Sequence, residues 1–205
     1  MNGQHCDLKH GMHCKTRRYT YSTLGVLALI VAAIVLILPR MAAADDENPT
    51  TLNVQAPALT GHDWVTGSTN LPVKLASRHG KVTLVHFWTY GCINCKRNLP
   101  IYQKWQKEFT GQDVAIIGVH TPETQEEHSL VNVRQALKRN GITYPVLIDT
   151  DHANWDRWSV RYWPTVFLLD KQGKVRYRWE GELEYNNQNG TAKMARLIKE
   201  LQNEK

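Results

Sequence analysis

The sequence predicts an α/β domain whose mixed sheet is covered by helices on both faces. Short runs rich in β-branched and aromatic residues alternate with segments of helical spacing from Lys81 onward. Alternation of that kind buries a sheet between layers of helix. The body then ends on two strands joined by a tight turn and a last amphipathic helix, which makes the sheet mixed.

The elements follow in order. Residues 52–80 are rich in Gly, Pro, Thr and Ser and read as irregular, with short extended pieces around Leu59 and Val73. Val82 to Trp88 is an apolar run of strand length. Ile93 to Phe109 places Leu99, Tyr102, Trp105 and Phe109 on one helical face, with Pro100 as an expected kink. Val114 to Val119 is a second buried strand. Glu123 to Asn140 reads as a helix that presents Leu130, Val133 and Leu137 and stops at Gly141. Pro145 to Ile148 is a third strand, and His152 to Ser159 a short helix carrying Trp155 and Trp158. Thr165 to Leu169 and Val175 to Trp179 flank the turn Asp170-Lys171-Gln172-Gly173. Thr191 to Gln202 turns Met194, Leu197, Ile198 and Leu201 inward.

At 205 residues the chain holds one ordinary domain and a leader. Its net charge of +6 does not indicate a nucleic-acid partner. Residues 1–44 carry Lys9, Lys15, Arg17, Arg18 and Arg40 against Asp7, a local +4, and the body is nearly balanced. Those basic residues flank the apolar run Leu24 to Leu38, a membrane-targeting pattern that sends the rest of the chain across the membrane. Pro39 and Ala42-Ala43-Ala44 favour a cleaved signal peptide, whereas Tyr19 and Tyr21 favour a retained anchor over residues 20–38. The expected organisation is therefore a signal peptide or membrane anchor at 1–44, a polar linker at 45–54 and the domain at 55–205. Both leader readings make the protein extracytoplasmic, or periplasmic. Cys6 and Cys14, with His5, His10 and His13, have metal-ligand character but fall in the segment read as the start of the leader, so no metal site is expected.

The chemistry lies in Phe87-Trp88-Thr89-Tyr90-Gly91-Cys92-Ile93-Asn94-Cys95-Lys96, a C-x-x-C where a strand gives way to a helix. A cysteine at a helix N-terminus faces orphan N–H groups and the positive end of the helix dipole, which favour its thiolate. Cys92 is accordingly the attacking thiol. Cys95, one turn on, resolves the mixed disulfide, and the two form the redox disulfide. No cofactor is required, and the expected partners are protein thiols and disulfides.

This stretch, F-W-T-Y-G-C-I-N-C-K-R-N-L-P, resembles the active-site segment of thioredoxin-like proteins of the TlpA type, and most of all the thioredoxin-like domain of DipZ-type proteins. The resemblance continues through Ile117 to Glu123, Gly141 to Val146 and Tyr162-Trp163-Pro164-Thr165. Gly91 departs from it, since many relatives carry tryptophan there. The resemblance implies a thioredoxin-like fold with the TlpA-type inserted strand and helix. It also implies a cis-proline at Pro164 facing the cysteines and a membrane electron donor of the thiol-redox type. Glu123 matches an acidic position near the cysteines in TlpA-type proteins, and two roles are open to it: a proton relay to or from Cys95, which His120 is close enough in sequence to share, or an acid at a helix start favoured by the dipole. Trp88, Tyr90, Trp163 and Thr165 are expected to line the substrate surface. His86 is expected to be a satisfied core histidine, and Trp105, Trp155, Trp158 and Trp179 to be packing residues.

Two other classes compete. A peroxiredoxin-type peroxidase uses P-x-x-x-T-x-x-C; Thr89 and Cys92 fit, but Val85 stands where the proline belongs. A copper or zinc carrier would use the same cysteines, but carriers of this fold generally space them C-x-x-x-C.

Overall fold

The computed structural model describes residues 48–65, 72–109 and 111–204. The expected leader, residues 1–44 with Cys6 and Cys14, lies outside the described residues. Among the described residues no helix is long and apolar enough to cross a membrane.

Seven strands make one sheet: β1 Thr50–Gln55, β2 Trp64–Val65, β3 Val82–Trp88, β4 Val114–His120, β5 Val146–Ile148, β6 Thr165–Leu169 and β7 Lys174–Glu180. Their order is β1-β7-β6-β3-β4-β5-β2. Strands β3, β4 and β5 run parallel, and the other four neighbouring pairs are antiparallel. Among the described residues four α-helices accompany them: α1 Ile93–Glu108, α2 Leu130–Arg139, α3 Ala153–Arg157 and α4 Gly190–Asn203. This is the expected mixed α/β architecture. Helix α2 and strand β5 are the additional helix–strand unit between β4 and α3.

Strand β3 lies between β6 and β4, and all seven of its residues are buried. Alternation along the strand divides them between two cores. Val82, Leu84 and Trp88 pack with Leu99, Tyr102 and Trp105 of α1 and with Met194 and Ile198 of α4. Val85 and Phe87 pack with Ile117, Val119, Trp158 and Phe167 on the opposite face. The central strand is therefore held by apolar burial on both sides, which fixes where its C-terminal end points.

His86 is buried as expected, but it is not satisfied. Neither ring nitrogen has a hydrogen-bond partner among the described residues. Its ring packs on Tyr102 at 4.5 Å and against Tyr144 at 5.4 Å between centroids. Burial lowers its pKa to about 3, so it is held as a neutral imidazole.

Three local expectations are revised. Thr50–Gln55 falls partly in the segment read as linker, yet it pairs with β7 as an edge strand. It is mostly exposed on both faces, so no apolar alternation marks it. Leu59 and Val73 pack, partly buried, against the second core without forming strands. The helix read as Glu123 to Asn140 is two pieces. A 3₁₀ turn, Gln125–His128, begins in a capping box of Thr124 and Glu127, and Ser129 then caps α2. Helix α2 ends where Gly141 takes a left-handed φ of 60° and Ile142 N–H reaches Leu137 O at 3.0 Å.

Candidate active site

Strand β3 ends at Trp88, and the chain turns through Thr89-Tyr90-Gly91 into α1 with Cys92 as its N-cap. Cys92 is half-buried and Cys95 is 1% exposed. Cys95 N–H donates to Cys92 Sγ at 3.3 Å. The helix buries Cys95, Asn98, Leu99, Tyr102 and Trp105, a single stripe that anchors its first turn against the sheet. Asn98 ties the same turn to the β7–α4 connection by accepting from Leu183 N–H at 3.0 Å and donating to Gly181 O at 3.2 Å.

The electrostatics separate the two thiols. Hydrogen bonding from the Cys95 thiol is the largest effect on Cys92; with the Cys95 and Asn94 N–H groups it outweighs burial and lowers the Cys92 pKa from 9.0 to about 7. Burial, reinforced by the neighbouring Cys92, pushes the Cys95 thiol far upward. Near neutral pH one sulfur is thus a ready nucleophile and the other a protonated thiol held beside it. Arg97 does not share in this: it is paired with Glu182 at 2.7 Å.

The cis-proline loop lies alongside. The Trp163–Pro164 peptide bond is cis, and Trp163 O lies 3.9 Å from Cys92 Sγ. Trp163 Nε1 donates to Thr121 O at 3.1 Å, and its ring packs against Trp155, tilted by 32° with centroids 4.0 Å apart. Asp149, 1% exposed, holds this corner by accepting from Thr121 Oγ1 and from the N–H groups of Asn154 and Trp155.

Of the residues expected to line a substrate surface, Tyr90 and Trp163 are half-exposed beside Cys92. Trp88 and Thr165 are not available. Trp88 shares strand parity with Leu84, which turns it into the core under α1, and it is 0% exposed. Thr165 is equally buried, paired with Phe87 and Glu180 as the first residue of β6, and its hydroxyl donates to Tyr162 O at 2.8 Å. Trp155, expected to be a packing residue, does pack, but against Trp163 at the edge of the site.

Glu123 is exposed, and its charge acts to raise the pKa of both cysteines. His120 is buried, stacked on Tyr90 with ring centroids 5.6 Å apart, and its Nε2 lies 3.3 Å from Thr89 Oγ1. Burial lowers its pKa to about 4.

The sequence reading passed over Glu127. This carboxylate, 2% exposed, accepts from Gly91 N–H at 2.7 Å, Glu123 N–H at 2.6 Å and Thr124 N–H at 2.9 Å. Burial raises its pKa, but these bonds and one from the Thr89 hydroxyl prevail and hold it below the usual carboxylate range. Its signal in the sequence was Thr124-x-x-Glu127, a capping-box spacing.

The strand order, the dithiol at the head of α1 and the cis-proline loop beside it define a protein of the thioredoxin-like class. More narrowly, the chain belongs to the AhpC/TSA family, whose model matches residues 52–178. It is 41% identical to protein DipZ of Mycobacterium tuberculosis over 132 residues, 64% of this chain and 19% of that protein. It thus spans about a fifth of the length of that relative. It is 28% identical to thiol-disulfide oxidoreductase ResA of Bacillus subtilis over 162 residues, 78% of this chain and 84% of that protein. Among solved structures it resembles a thiol:disulfide interchange protein of the thioredoxin family from Chlorobium tepidum. That match has a TM-score of 0.57 at 25% identity and covers 78% of this chain and 99% of the other.

Proposed function

We propose that the protein exchanges disulfides with protein substrates outside the cytoplasm, using Cys92 to attack and Cys95 to resolve. The observation that carries this reading is the asymmetry of the pair: an accessible sulfur with its pKa lowered to about 7, and a buried partner whose N–H donates to it at 3.3 Å.

The Cys92 thiolate attacks one sulfur of a substrate disulfide. A Cys92–substrate bond forms, the substrate S–S bond breaks, and the released substrate thiolate takes a proton from solvent. Cys92 no longer carries charge, which removes two of the influences that held the Cys95 thiol protonated. Cys95 then gives up its proton to solvent, attacks Cys92 Sγ as the Cys92–substrate bond breaks, and expels the second substrate thiolate, which is protonated in turn. Two electrons have passed to the substrate, and Cys92–Cys95 is left as a disulfide. An external dithiol donor re-reduces it; a membrane protein of the thiol-redox type suits the leader of this chain. Run backward, the same steps oxidise a substrate dithiol. Tyr90 and Trp163 flank the point of attack, and Pro164 belongs to the loop that faces it.

The test is trapping. Cys92→Ser should abolish reduction of insulin in the presence of dithiothreitol, whereas Cys95→Ser should accumulate mixed disulfides that dissolve on reduction. Full activity in Cys92→Ser would exclude the mechanism. A reporter fused after Lys205 tests placement, with activity expected only outside the cytoplasm.

A peroxidase of the peroxiredoxin type is the competing reading. Thr89, the residue that fits the peroxidase pattern, is fully buried with its hydroxyl engaged by His120 and Glu127. That arrangement favours the dithiol reading.

A further inference from the structure

We propose that Glu127 is the positioning residue for the attacking cysteine, and that it acts as a pair with Gly91. The proposal rests on the dithiol reading above.

The two oxygens of Glu127 serve different parts of the chain. Oε2 accepts from Glu123 and Thr124 N–H, which completes the cap of its own 3₁₀ turn. Oε1 reaches across 36 residues of sequence to Gly91 N–H, immediately before Cys92. A capping role needs only the first set. The bond to Gly91 joins the cysteine loop to the segment after β4, and Tyr90 reinforces it by donating from its hydroxyl to Glu126 O at 2.9 Å. The same segment receives Trp163 Nε1 at Thr121 O. Cys92 and the Trp163 loop are thereby both referenced to residues 121–127, which sets the gap into which a substrate strand fits.

The pairing also accounts for the glycine. Gly91 has no left-handed φ that would demand it. Among the described residues, apart from its chain neighbours, the atoms within 4 Å of a Cβ placed there belong to Glu127, and Oε1 would collide with it. That oxygen is the end of a side chain, but the carboxylate is buried and its other oxygen is tied to Glu123 and Thr124 N–H, so it cannot swing aside cheaply. Residue 91 is glycine because a carboxylate occupies the space of its side chain.

The groups that lower the Cys92 pKa lie within α1, at Cys95 and Asn94, so they do not depend on Glu127. Disturbing the pair should misplace Cys92 relative to Trp163 without removing its reactivity. Misplacement by about 1 Å can cost on the order of a hundredfold in rate.

The experiment compares full-length wild type, Gly91→Ala, Glu127→Ala and the double variant. It measures the rate of insulin reduction, the rate of alkylation by iodoacetamide across pH, and the urea unfolding midpoint. Each single variant should lose about tenfold or more in insulin reduction, by the same positional argument. Alkylation should keep its pH midpoint. The double variant should be no slower than Glu127→Ala, because the added methyl then enters vacated space. Multiplying losses in the double variant would overturn the pairing. Unchanged insulin reduction in Glu127→Ala, or a parallel fall in alkylation, would overturn the positioning role and leave only a structural cap. If Glu127→Ala does not fold, Glu127→Gln replaces it. Glutamine offers one acceptor oxygen where two are used, so it should show the same split; wild-type exchange by that variant counts against the proposal. Cys92→Ser, assayed alongside, reports separately on the dithiol reading.

Discussion

Replacing His86 with phenylalanine should remove a large part of the acid sensitivity of the fold. His86 is 0% exposed, lacks a partner for either nitrogen among the described residues, and has its pKa lowered by burial from 6.5 to about 3. The unfolded chain takes up a proton on this residue as pH falls below about 6.5, whereas the folded chain refuses it until about pH 3. The stability contributed by neutral His86 is therefore complete above pH 6.5 and declines as pH falls through that window. Between pH 7 and pH 4.5 the loss from this one residue is about 2.5 kcal/mol. Urea unfolding of wild type and His86→Phe at both pH values measures it. Phenylalanine is larger and overpacking costs roughly 1–3 kcal/mol, but at both pH values alike, so the difference between them isolates the titration. His120 titrates in both proteins and cancels. An unchanged pH dependence in His86→Phe would refute the reasoning.

Two tryptophans flank the active-site stretch and should behave oppositely. Trp88→Ala should destabilise the fold by about 3–5 kcal/mol, measured by urea unfolding, because it opens a cavity under α1. Trp163→Ala should cost less stability yet slow insulin reduction more than iodoacetamide alkylation, since its ring packs on Trp155 at the edge of the site and anchors the loop whose Trp163 carbonyl lies 3.9 Å from Cys92 Sγ. Hydrogen peroxide turnover by the purified protein should stay at the level of an unassisted thiol, because the Thr89 hydroxyl is committed to His120 and Glu127; rapid turnover would favour the peroxidase class.

The parts of the fold that were legible in sequence are those whose burial leaves a periodic trace. Strand β3 is a continuous apolar run because both its faces are covered, and α4 carries a clear inward stripe. Strand β1 leaves almost none, since an edge strand with both faces in solvent is free to be polar. Trp88 was misread because proximity to Cys92 in sequence suggested proximity on the surface, although its parity with Leu84 already assigned it to the core. The cysteines were legible from local context alone, as a strand running into a helix start. Glu127 was not, because which of two carboxylates four residues apart becomes buried depends on a loop 36 residues away. His86 shows the same limit: sequence placed it in the core, but only packing reveals that its neighbours are aromatic rings rather than hydrogen-bond partners.

The account depends above all on Cys92 being a thiolate near neutral pH because Cys95 and the start of α1 stabilise it. The rate of Cys92 alkylation against pH, in the reduced protein, tests this directly. The midpoint should fall near 7, and Cys95→Ala should move it upward, because the Cys95 thiol is the largest single source of the lowering. A wild-type midpoint near 9, the ordinary value for a cysteine, or one that Cys95→Ala leaves in place, would contradict the account.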